Sequence, residues 1–226
     1  MEFTSIPTER TTAATDAILA IIALISMLYL YQIGQDQSWK LSIWIWAFTL
    51  LAMVAALGAV VHGFKLPDNI NIYLWYPTYL LLGMLVSLLM VAAIYDVWGQ
   101  AIAQRLLPPL ITVGVIFFVT TLIWPNSFAV FTIYQAVAMS FALGGYVWLA
   151  LEDSLTGAWW MVAGVLVTVI AAGVQASRTV SFTCIWPFDH NGVYHLIQMG
   201  GVVLLVAGLR AAFVAEAVGL VVLIAY

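Results

Sequence analysis

The stretch "LSIWIWAFTLLAMVAALGAVVHGF", Leu41–Phe64, runs for 24 residues without an aspartate, glutamate, lysine or arginine. An apolar run of about 20 residues is the length a helix needs to cross the ~30 Å hydrocarbon core of a bilayer. The whole chain reads the same way. It is 65% hydrophobic and 7% charged over 226 residues, with a mean hydropathy of +1.10. Such a composition leaves too little polar surface to wrap a water-soluble core and reads as an integral, multi-pass membrane protein. Runs of this size also exclude barrel strands, which need about ten residues each.

Six further runs bounded by polar or Gly/Pro punctuation give seven expected spans: 15–34, 41–64, 72–97, 106–124, 128–151, 158–176 and 193–215. The expected architecture is all-α, a single seven-helix transmembrane domain over residues 1–226. Pro108 and Pro109 set the fourth span's start near Leu106, because prolines are tolerated in a first turn. The connections "QDQSW", "KLPDNIN", "PNS" and "EDSLTG" are short; only "SRTVSFTCIWPFDHNG" is long. The polar N-terminus lacks the basic region of a signal peptide, so the first span is expected to be retained.

Ten acids against six bases, with no basic run, speak against a nucleic-acid partner. The positive-inside rule is undecided, with Arg10, Lys65 and Arg178 on one side and Lys40, Arg105 and Arg210 on the other. The single cysteine, Cys184, excludes an intrachain disulfide and reads as a small buried apolar residue. Lys40 and Lys65 both stand at early span ends, which excludes a retinal protein with a Schiff-base lysine deep in a late helix. Aromatics gathered at span ends ("WKLSIWIW", "YLWYPTY") read as an interfacial belt, and Gly200, Gly201 and Gly208 as a helix-packing face.

Counting spans puts the end of the second and the start of the seventh on the N-terminal side. The chain's three histidines, His62, His190 and His195, therefore share one face of the membrane, with Asp68 and Asp189. Three imidazoles and a water form the open tetrahedral set of a catalytic zinc site, which would activate water against a carbonyl. Asp189 or Asp68 would then serve as general base. His190 and His195, five residues apart, differ by about 140° on a helix. They converge only if the helix starts between them, capped by Asp189 or Asn191.

With "VVHG" closing the second span and "NGVYHLIQMGG" opening the seventh, the pattern resembles the CREST superfamily of seven-helix membrane hydrolases, which includes alkaline ceramidases and adiponectin-receptor-like proteins. The resemblance implies a zinc held by three histidines and a membrane lipid amide or ester as substrate. His62 matches the second-helix ligand and His195 the second ligand of the seventh helix. Asn191 stands where the first ligand of that helix is expected, so either His190 takes its place or the site has lost a ligand. Gly58 stands where the superfamily has a serine, and Asp68 is the nearest acid to its third-helix aspartate. The alternatives are a non-catalytic lipid sensor or assembly protein with a degenerate metal site, and a small transporter. Against the transporter, no acid is expected near a span centre.

Overall fold

The computed structural model describes residues 2–34, 38–124 and 128–224. Residues 35–37 of the expected connection "QDQSW" and the whole of "PNS", 125–127, lie outside them. Seven helices follow one another: α1 (Pro7–Ile33), α2 (Trp39–Gly63), α3 (Asp68–Trp98), α4 (Gln100–Ile123), α5 (Phe128–Leu151), α6 (Ala158–Ser177) and α7 (His190–Ile224). Among the described residues all seven are long and apolar enough to cross a membrane. The alternation of helices defines two ends of the bundle. End a carries the start of α1, and with it the end of α2, the end of α6 and the start of α7.

Five helices start before the expected residue: α2 and α3 by two and four residues, at Trp39 and Asp68, and α1, α4 and α7 with more bearing on the site. α1 begins at Pro7, so "TERTTAATD" is its polar opening and Asp16 lies well inside it. Proline suits the first helical position, where its missing N–H has no partner to lose. α4 begins at Gln100, after Gly99 at φ 85°, which places Pro108 and Pro109 in the helix interior. α7 begins at His190, because Asp189 caps it: Asp189 Oδ1 accepts from the backbone N–H of Asn191 at 3.0 Å and of Gly192 at 2.9 Å.

α1, α2, α3, α5, α6 and α7 form a closed ring in which each packs on the next, and α4 lies outside it, chiefly against α3. Small residues set the close approaches. A Cβ on Gly83 would stand 2.5 Å from the Gly114 carbonyl oxygen, so α3 and α4 meet backbone to backbone. Across the α6–α7 seam, a Cβ on Gly164 would meet Leu205 at 2.7 Å and one on Gly208 would meet Met161 at 2.7 Å. Gly208 and Gly201 thus serve the expected packing, whereas Gly200 is exposed. Ser87 links three helices through Gly83 O (2.9 Å), Leu110 O (2.8 Å) and Tyr134 Oη (2.7 Å).

At end a, the N-terminal segment is tied to the end of α2 by Thr4 N–H to Gly63 O and Lys65 N–H to Glu2 O, both 2.9 Å. A two-residue antiparallel pairing, β1 (Phe182–Thr183) with β2 (Pro187–Phe188), joins α6 to α7. Cys184 sits in its exposed turn, not in the interior, because the hairpin is too short to bury it. At end b, Lys40 is 2% exposed, far from the free span-end lysine expected. Its Nζ lies 2.7 Å from Asp96 Oδ1 and 3.5 Å from Glu216 Oε1.

Candidate functional site

The polar opening of α1 folds as a helix because its polar side chains find partners across the bundle. Thr12, Thr15 and Asp16, spaced by three and four, fall on one face of the helix. All three are buried, and that face turns toward α7. Thr12 Oγ1 donates to Asp189 Oδ1 at 3.0 Å, and Thr11 Oγ1 donates to the Pro187 carbonyl. These contacts pin the start of α7 against the second and third turns of α1.

His195, one turn further into α7, then meets Asp16. Its Nε2 lies 3.1 Å from Asp16 Oδ1 and its Nδ1 3.1 Å from Thr15 Oγ1. Thr15 Oγ1 also bonds the Thr12 carbonyl oxygen at 2.9 Å, and a carbonyl only accepts. The one hydroxyl hydrogen is committed there, so Nδ1 of His195 carries a hydrogen and donates it to Thr15. A hydrogen bond between Nε2 and Asp16 then takes one proton. Either the carboxylic acid donates it to a neutral ring, or the imidazolium donates it to a carboxylate.

This pair stands where two cavities meet. A cleft of about 790 Å³ at end a is lined by all six ring helices, with Asp16, His62, Trp75, Gln175, Asn191 and His195 among its walls. Below it, a mainly apolar chamber of about 100 Å³ is lined by Trp44, Tyr146 and Gln198 among others, and shares Asp16, Tyr194 and His195 with the cleft. Asp16 Oδ2 lines this junction, buried and without a hydrogen-bond partner. Gly58 makes the room for it: a Cβ there would stand 2.6 Å from Oδ2. Any side chain at position 58 would thus collide with the Asp16 carboxylate, which fills that space.

His62 lines the same cleft, with Nδ1 2.6 Å from Glu9 Oε2 and its ring edge-on to Trp75 at 5.8 Å. His190 lines it too, as the first residue of α7. With the helix starting at His190 and not between the two histidines, His190 and His195 stand about 140° apart around its axis. His195 moreover has both ring nitrogens engaged. Among the described residues no group of three His, Cys, Asp or Glu side chains is placed to hold a metal ion. The geometry therefore lends the His62, His190 and His195 zinc set no support. Asp189 is spent as the α7 cap, and Asp68 is exposed in the first turn of α3, outside both cavity linings. Asn191 lines the cleft on the His195 face, its Oδ1 3.5 Å from Gln175 Nε2.

Asp16, Thr15 and Glu9 are the site residues that hydropathy missed. Their signal was present: an aspartate four residues after a threonine, in a threonine-rich string of helical spacing just before an apolar run.

A family model, that of a family of unknown function (DUF6962), matches residues 11–213. No curated protein matches the chain, nor does any solved structure.

Proposed function

The chain belongs to the DUF6962 family, whose function is unknown, and from its geometry we propose an integral, multi-pass membrane protein that hydrolyses a lipid amide or ester. One observation carries the proposal: a carboxyl and an imidazole 3.1 Å apart stand where an open polar cleft narrows into an apolar chamber. A molecule with a polar head and an apolar tail fits such a shape, with its carbonyl at the junction.

The chemistry follows from the shared proton. A water beside Asp16 Oδ2 gives up a proton to the pair as its oxygen bonds the carbonyl carbon. The same pair returns a proton to the leaving amine or alkoxide as the C–N or C–O bond breaks. Gln175, Asn191 and Arg178 supply polar hydrogen-bond donors in the cleft for the substrate's head. The zinc of the resembled superfamily would need a ligand set that these side chains do not assemble, so no step is routed through a metal.

The test is turnover of fluorescent single-chain amides and esters by protein in lipid nanodiscs. Wild type is expected to release the free acid, and Asp16→Asn and His195→Ala to lose that activity. If none of these lipids is cleaved, hydrolysis is refuted. Binding without cleavage would support the second reading, a lipid sensor, which Asn191 in the place of a superfamily ligand favours.

A further inference from the structure

Every buried side-chain polar atom left without a hydrogen-bond partner among the described residues lines the same inner chamber: Asp16 Oδ2, Trp44 Nε1 and Gln198 Oε1. An unmade hydrogen bond on a buried group costs about 1–3 kcal/mol, so three around one chamber call for a polar occupant. Trp44 Nε1 only donates and the Gln198 carbonyl oxygen only accepts. Water meets both demands, and the chamber's ~100 Å³ is well above the ~10–15 Å³ that one water requires.

The chamber also reaches far along the bundle. Its α2 wall runs from Ala55 to Trp44, 11 residues, or about 17 Å at 1.5 Å per residue. At the far end its wall is Tyr146, whose hydroxyl donates to Asp96 Oδ2 at 3.0 Å. Asp96 Oδ1 meets Lys40 Nζ at 2.7 Å, and Lys40 reaches Glu216 Oε1 at 3.5 Å. Lys40 and Asp96 are 2% and 3% exposed, while Glu216, at 54%, opens to the outside at end b. The rings of Tyr95 and Phe213 cover Lys40, each under 6 Å from Nζ.

We propose that this line conducts protons across the bilayer, by water from end a to Tyr146 and by side chains from Tyr146 to end b. Lys40 first passes a proton to Glu216, which releases it at end b. Chamber water then protonates the Tyr146 oxygen as the Tyr146 hydrogen moves to Asp96 Oδ2. Asp96 hands its proton to Lys40, and the cycle closes with one proton taken up, one released and every group restored. Buried ionisable chains of this kind mark proton relays in membranes. The relay does not depend on hydrolysis, since no end-b group enters that chemistry.

The experiment uses the full chain in lipid vesicles enclosing a pH-sensitive dye, with a potassium gradient and valinomycin setting the interior negative. Wild type is expected to acidify the lumen faster than protein-free vesicles. Tyr146→Phe keeps the packing and removes the linking hydroxyl, and is expected to fall to the protein-free rate. So is the double variant Lys40→Met with Asp96→Asn, which leaves no lone buried charge. A wild-type rate equal to that of protein-free vesicles overturns the proposal. Wild-type conduction kept by either folded variant overturns it as well.

Discussion

Replacing Lys40 with Met tests how end b is held together. At 2.7 Å and an effective dielectric constant near 20, the Lys40–Asp96 attraction is about 6 kcal/mol. Removing each ion from water costs several kcal/mol, so the intact pair contributes little net. Lys40→Met removes the attraction and keeps one penalty. Asp96 would then be 3% exposed with the Tyr146 hydroxyl as its remaining partner, and the expected loss is about 3–5 kcal/mol. Asp96→Asn should cost less, because Lys40 retains the half-exposed Glu216. The double variant should recover most of the stability, since both charges go together. Reversible unfolding in mixed micelles of increasing SDS fraction, followed by circular dichroism, would give all four corners of the cycle. If the double variant lost the sum of the two single losses, the pair would not be coupled and the reasoning would fail.

Gly58→Ser brings a Cβ to 2.6 Å from Asp16 Oδ2. It should abolish lipid turnover and destabilise by about 1–3 kcal/mol, both readable on one purified sample. Ser87→Ala removes the hydroxyl shared by α3, α4 and α5. It should cost about 0.6–1.7 kcal/mol in SDS unfolding, from the average to the maximum for hydrogen bonds between membrane helices. Mass spectrometry of protein purified without chelators should find no stoichiometric zinc. One zinc per chain, lost in His195→Ala, would show that the hydrogen bonds assigned to His195 give way to a metal. Thr15→Val should leave the fold intact and lower turnover, because Nδ1 of His195 would lose its acceptor.

The helices were legible because hydropathy summed over 20 residues measures what a bilayer demands. Their ends were less so. The start of α1 is decided by partners far along the chain, such as Thr12 with Asp189 and Asp16 with His195, and a local window sums residues without seeing partners. The same blindness set Asp16 at a span's edge and removed the acid that had been missing from the interior. Lys40 likewise passed for an interfacial cation because Asp96 and Glu216, which hold it in, come from two other helices. His62 and His195 were legible as neighbours of one cavity, since counting spans is topology and needs no distances. The placing of His190 about 140° from His195 was not, because it turned on whether α7 starts before or after His190, which two capping bonds to Asp189 decide.

The exposed turn between β1 and β2 has a practical use. Cys184 is the chain's one cysteine, and it sits on the stretch joining α6 to α7, at the same end of the bundle as the cleft. The unmodified protein thus carries its own sidedness reporter. A membrane-impermeant maleimide added to intact cells, and then to permeabilised ones, labels the compartment from which the cleft is reached. The charges, three against three, left that compartment open.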